Sequence, residues 1–388
     1  MTTTTLFETQ ALPTQNAALT AFRTAALDHA KNIALPNVKQ DAFLYFDLAE
    51  LTANPVSPEA ATVTVSGQQP GVSVYTTAQD KAAEKLETLR FHLLNEKNPF
   101  AILAASHCSD VVFIDITAET QVAEPLHIRF EHSQPNTVTF PVVMVQVETR
   151  AAVQLIIENI HPHAGIQNAL VHVFAATGSE VTVVSQNTTS AESKTLDHFR
   201  FHLQDDVQIT GIRFTDNGNS RFDAQLNFSG QNIRSSWSGL ALLSGNATAH
   251  IHTHLNHFIG EGTSTQLFKQ ILSDNATSEF NGLVCVHRDA QKTDSSQSNK
   301  TLVFSDTARA YSRPQLVIDA DDVKCGHGAT VGQISDHEVF YLTSRGLSAA
   351  EAKALLTYGF AEEIIETIPI AGVREALEAR VHAGLKHL

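Results

Sequence analysis

Cysteine is scarce. Cys108, Cys285 and Cys325 are the three in 388 residues, and no two of them stand in a CxxC spacing. An odd, scattered set excludes a disulfide framework and a zinc site built from local thiol pairs. Cationic side chains are also short: 26 Lys and Arg face 41 Asp and Glu, a formal charge of −15, with no basic stripe to offset it. Such a chain repels a phosphate backbone, so nucleic acid is not an expected partner. No apolar run approaches the roughly 20 residues that span a bilayer, and no membrane partner is expected. The opening MTTTTLFETQ has neither the basic and apolar regions of a secretory signal nor the arginine of a transit peptide. The expected location is the cytoplasm. Enzymatic signatures are missing as well: there is no P-loop, GxSxG, HExxH or dinucleotide fingerprint. If ATP drives this protein's work, another polypeptide hydrolyses it.

What is present is β-rich. Residues 14–34 read as an amphipathic helix with Leu19, Phe22, Ala26 and Ala30 on one face, closed by Pro36. Short strands punctuated by Pro and Gly fill 49–77, and a second helix is expected over 79–94. From 100 to 332 the pattern is a succession of short Val/Ile/Phe/Thr runs separated by polar turns. Three of those turns resemble one another: SGNATA from Ser244, SDNATS from Ser273 and SDTARA from Ser305. A period of roughly 30 residues marks a solenoid whose coils cannot bury their apolar faces singly. Because no helices intervene, the expected core is a β-helix, over 100–333, between an N-terminal helical and capping region (1–99) and a C-terminal helical domain (334–388). In the latter, Ser335/Glu338 and Ser348/Glu351 have capping-box spacing, and Gly346 stands where a glycine closes a helix. Val339, Phe340 and Leu342 line one helix; Ala352, Leu355, Leu356 and Phe360 line the next. So small a unit is expected to dock, on the β-helix or on a partner.

Chemistry concentrates in residues 316–333, LVIDADDVKCGHGATVGQ. On an extended chain Cys325 and His327 share a face, and Gly326 and Gly328 leave little bulk around the imidazole. Thiolate and imidazole both suit iron. Two ligands cannot complete a site, so a second chain or transient coordination is needed. The plainer alternative is a strand-end cysteine packed as a small hydrophobe and a histidine satisfied by backbone. In HIHTHLNH, His250, His252 and His254 also share a face at steps of about 7 Å. Neighbouring pairs could chelate a metal, although three on one straight strand reach a single ion poorly; His257 reads as structural. Cys285 alternates with Val284 and Val286 and reads as core. Cys108 and His107, read as strand neighbours, face opposite ways and form no dyad.

DADDVKCGHGATVGQ, followed by HEVFYLTSRGL, closely resembles the SufB/SufD family of iron–sulfur cluster assembly scaffolds. LPNVKQDAFLYFDL, at 35–48, resembles the family's N-terminal signature through Lys39, Asp41, Phe43 and Tyr45, with Phe43 where the family usually has tryptophan. The resemblance implies a right-handed parallel β-helix and a scaffold rather than an enzyme. It implies a SufD-type subunit paired with a SufB-type subunit, the cluster-building site lying at their interface. His327 matches the interfacial histidine and Cys325 stands beside it. Iron or a nascent cluster would be held there transiently in the complex, with no cofactor bound stably by the isolated chain. A SufC-type ABC ATPase would dock on the C-terminal helices, where Phe340, Tyr341, Leu355, Leu356 and Phe360 are candidate contacts, with Arg345 and Glu351 at the rim. The SufB-type partner carries its scaffold cysteine in the region matching TDSSQSNKTL; Ser298 stands here instead, which favours the SufD-type role. A SufB-like or homodimeric scaffold carrying its own cluster is the alternative. A β-helix carbohydrate-active enzyme is a remote one, disfavoured by 7% aromatics and a single tryptophan.

Overall fold

A computed structural model describes residues 10–33, 43–46, 48, 51 and 56–385. Successive strands alternate between two sheets: Asn219–Phe228 lies in one, Arg234–Leu243 in the other, and Thr248–His257 returns to the first. Within the body of the solenoid each strand pairs in parallel with the strands one coil before and after it. The result is a β-solenoid of about eight turns, with an 11-stranded and a 9-stranded sheet face to face. The sequence period is thereby explained, since His250 and Glu279 stand in register 29 residues apart. The three similar turns stack at one corner. The Gly245 amide donates to the Asp274 carboxylate at 2.8 Å, and the Ser305 hydroxyl donates to the Asp274 carbonyl.

Alternation with period two decides which side chains enter the solenoid. In Ala152–His161, Val153, Leu155 and Ile157 point inward and join a core that includes Phe199, Phe201, Trp237, Phe268 and Phe280. Gly211 is required where it stands, because a Cβ there would lie 2.1 Å from the Trp237 ring. The interior is not wholly apolar. Arg213 and Asp197, each 1% exposed, form an ion pair at 2.9 Å. Around it, Asn159 donates to the Asp197 carboxylate at 2.8 Å, and Arg213 donates to Ser185 and Asn187.

The outer faces are covered unequally. Helices α1 (Ala17–Ala30), α2 (Ala82–Leu93) and α3 (Pro99–His107) pack Leu19, Phe22, Leu86, Leu89 and Ile102 over the 11-stranded sheet. Helix α4 (Asp336–Thr343) has no fully buried side chain, whereas α5 (Ala349–Ile365) and α6 (Ala371–Leu385) pack Ile364, Ile365, Leu377 and Val381 against Ile212, Phe214 and Ile271 of the 9-stranded sheet. Residues 100–107 are therefore helical, not β. Every residue of α3 is buried, so it shows no amphipathic period. Its signals are Pro99 at the first turn and the Asn98 side chain accepting from the Phe100 amide at 2.9 Å. Ser348 and Glu351 form the expected capping box, while Ser335 caps α4 without a side-chain bond. Gly346 closes α4 at φ +102°.

Buried histidine is the fold's acid-labile feature. His161 is fully buried, stacks on His132 with centroids 3.9 Å apart, and neither ring nitrogen has a hydrogen-bond partner. Burial pushes its pKa down to about 3 from 6.5. The unfolded chain therefore takes up a proton near pH 6.5 that the folded chain refuses until about pH 3, and stability falls as pH drops through that window. For His161 alone the loss between pH 7 and pH 5 is about 1–2 kcal/mol. Urea unfolding of His161→Phe should show a stability–pH slope shallower by that amount, and an unchanged slope would refute the assignment.

Candidate interface site

The two ends of the solenoid differ. At the N-terminal end the antiparallel strands Thr62–Ser66 and Val72–Thr76 close the last parallel pairs. At the other end Arg309–Ile318 is the terminal strand of the 11-stranded sheet and Lys324–Gly332 that of the 9-stranded sheet, each paired on one side only among the described residues. Among the described residues no further coil follows Gly332, and the chain departs into α4. This open end exposes apolar side chains, with Val317 51% and Val331 54% accessible.

Cys325 and His327 lie on the Lys324–Gly332 strand, in register with Ser295 and Gln297. They share the inward-facing side, as alternation requires. Cys325 is half-buried against the end of the central core, and His327 is exposed at the mouth. Burial raises the Cys325 thiol above its ordinary pKa, Asp294 adding to the effect, so a ligand must displace its proton. A Cβ built on Gly326 or Gly328 would meet nothing within 4 Å, so the outer face of the strand is open at these two positions. Inside, a polar chain leads toward the thiol's neighbour: His257 Nε2 is 3.0 Å from the Ser264 hydroxyl, which donates to Ser295 at 2.8 Å. His257 is fully buried and stacked on Phe228, a structural placement.

His250, His252 and His254 do share one face, the outer face of the 11-stranded sheet, but the face is covered. Glu279 Oε2 accepts from His250 at 2.8 Å and from His252 at 3.1 Å, and Phe46 packs edge-on to His250. Burial would raise the Glu279 carboxyl; the two histidine bonds outweigh it and hold the group well below the carboxylate range. Among the described residues no group of three or more His, Cys, Asp or Glu side chains is placed to hold a metal ion. The N-terminal signature covers the same face. Phe43 is buried with the Arg221 guanidinium 4.7 Å over its ring, and Tyr45 stacks at 3.8 Å on Tyr311 of the terminal strand. Lys39 and Asp41 fall outside the described residues.

Two cysteine readings need correction. Cys108 caps α3 instead of lying in a strand; it is fully buried, donates to the Ala105 carbonyl at 3.3 Å, and burial pushes its pKa up to about 12. Cys285 is not in the core. Val284 and Val286 take the inward positions, which leaves Cys285 on the outer face, half-buried, 3.5 Å from His254 Nε2. Sequence reasoning missed this pair because its members stand 31 residues apart; the coil period of roughly 30 was the available signal.

The C-terminal candidates divide by environment. Phe340, Tyr341 and Leu355 are exposed at 71%, 56% and 49%, and the Arg345 guanidinium lies 4.5 Å over the Tyr341 ring. Leu356 is half-buried. Phe360 packs against the sheet-facing cluster, with Lys269 over its ring at 4.4 Å. Glu351 is occupied by the capping box.

The fold is thus a β-solenoid with one end closed and one end open, and a thiol and an imidazole lie on its last strand. The family model for the SUF system FeS cluster assembly SufBD core domain matches residues 130–360, more than half of the chain. The chain belongs to the SufBD family. It is similar to the iron–sulfur cluster assembly protein SufD of Escherichia coli K12, at 38% identity over 161 residues, covering 42% of this chain and 38% of that protein. A SufBD family protein of Synechocystis is 28% identical over 373 residues, 90% of this chain and 78% of that protein. SufD of Bacillus subtilis is 25% identical over 297 residues, 75% of this chain and 68% of that protein.

Proposed function

We propose that this chain is a SufD-like scaffold subunit in iron–sulfur cluster assembly, pairing with a SufB-type subunit through the open end and docking a SufC-type ABC ATPase on its C-terminal helices. The observation that carries the reading is the unpaired Lys324–Gly332 edge bearing Cys325 and His327. An exposed strand edge with apolar flanks is a template for another chain. The incoming chain would supply the ligands that two residues lack. Iron is the substrate there, met by sulfide held on the partner. The exposed Phe340, Tyr341 and Leu355 with Arg345 form the docking surface for the ATPase, whose movement would reach the open end through α5 and α6 packed along the 9-stranded sheet. The protein works in the cytoplasm and catalyses no reaction itself. Anaerobic cluster reconstitution of the three-component complex tests this. His327→Ala should leave the complex assembled and lower cluster yield by tenfold or more, and an unchanged yield refutes the role of His327. A chromophore formed by the isolated chain would favour the homodimeric scaffold instead.

A further inference from the structure

Cys285 and His254 lie on neighbouring strands of the 11-stranded sheet, away from Cys325 and His327 on the 9-stranded sheet. Both are half-buried on the outer face, and their Sγ and Nε2 atoms are 3.5 Å apart. A tetrahedral ion held by a thiolate at about 2.3 Å and an imidazole nitrogen at about 2.0–2.1 Å separates those two atoms by about 3.5 Å. The side chains thus already stand at the bite distance of one ion.

The surroundings suit an exchangeable ion. Asp319, just beyond the terminal strand, is the carboxylate that acts on Cys285. His254 feels Asp223 and His287, together with the cations Arg200 and Lys97; Arg200 is already paired with Glu96 and Asp223. Burial keeps the imidazole neutral, with a lone pair to offer, and keeps the thiol protonated, so an ion must displace one proton to bind. His250 and His252 contribute nothing here, because Glu279 holds both.

We propose that Cys285 and His254 form a two-point site for a soft or borderline divalent cation of the ferrous or zinc class, its other positions taken by water or an exchangeable ligand. Thiolate with imidazole selects such ions over magnesium or calcium. Two protein ligands make the site open and weak, unlike the four-ligand structural kind. The site does not rest on the terminal strand being an interface, and its test separates the two.

The test is anaerobic titration of the full chain with Co²⁺, followed by thiolate-to-cobalt charge-transfer absorption. The band should rise to saturation with excess cobalt, at one cobalt bound per chain, and persist in Cys325→Ser and His327→Ala. It should vanish in Cys285→Ser and need at least about tenfold more cobalt in His254→Gln. No band in the natural chain, a band that survives Cys285→Ser, or one lost with Cys325→Ser overturns the proposal. Alkylation of the unsubstituted protein guards against a misfolded variant: Co²⁺ should slow iodoacetamide labelling of Cys285, read by peptide mass, and unaltered labelling also overturns it.

Discussion

Asp197→Ala should lower folding stability by about 3–5 kcal/mol, the range for stranding one partner of a buried ion pair. Asp197 and Arg213 are each 1% exposed inside the solenoid. Burial raises the Asp197 pKa and lowers that of Arg213 against their mutual attraction, so desolvation is the larger effect on both groups. Removing Asp197 alone leaves a guanidinium in the core with Ser185, Asn187 and Thr215 as its side-chain acceptors among the described residues. Urea unfolding at pH 7 measures the loss. A loss below about 1 kcal/mol would mean that water reaches Arg213. The double variant Asp197→Leu/Arg213→Met should recover most of the difference, since replacing both charges with apolar groups is often neutral or better. If the double variant is as unstable as the single one, packing around Phe222, which lies 4.8 Å under the guanidinium, is responsible instead of charge.

The solenoid was legible in the sequence because its determinants are local and repeated. Alternating Val, Ile and Phe mark the strands, and the SGNATA, SDNATS and SDTARA turns give the coil length and fall on a single corner. The thiol–imidazole strand was legible for the same reason: Cys325 and His327 are two apart on an extended chain, and their shared face follows from the pleat. Other features were set by contacts distant in sequence. The interior ion pair joins residues from two sheets, and nothing local distinguishes Asp197 from a solvated acid. Cys285 sits between valines, a pattern consistent with either face, and in the fold the valines point in. Helix α3 was hidden by its complete burial. Coverage of the histidine strand by Phe46 and Glu279 depends on a segment more than 200 residues earlier and on the next coil (about one period,).

The proposed pairing with a second chain rests on the terminal strand. The Lys324 amide donates to the Thr293 carbonyl at 2.9 Å, toward the neighbouring strand. In a parallel ladder alternate residues face alternate sides, so the amides of Cys325, His327, Ala329 and Val331 point to the open edge. Ala329→Pro removes one of these donors while taking none from the fold's own ladder. Its stability should stay within about 1 kcal/mol of the natural chain, while its affinity for a SufB-type subunit should fall more than about tenfold, or 1.4 kcal/mol. Hydrogen–deuterium exchange over residues 324–332, with and without that subunit, measures the edge directly. Slowed exchange at Cys325, His327, Ala329 and Val331 in the complex is the expected result, lost in Ala329→Pro. A complex that forms while those four amides exchange as fast as before would contradict pairing at the open end.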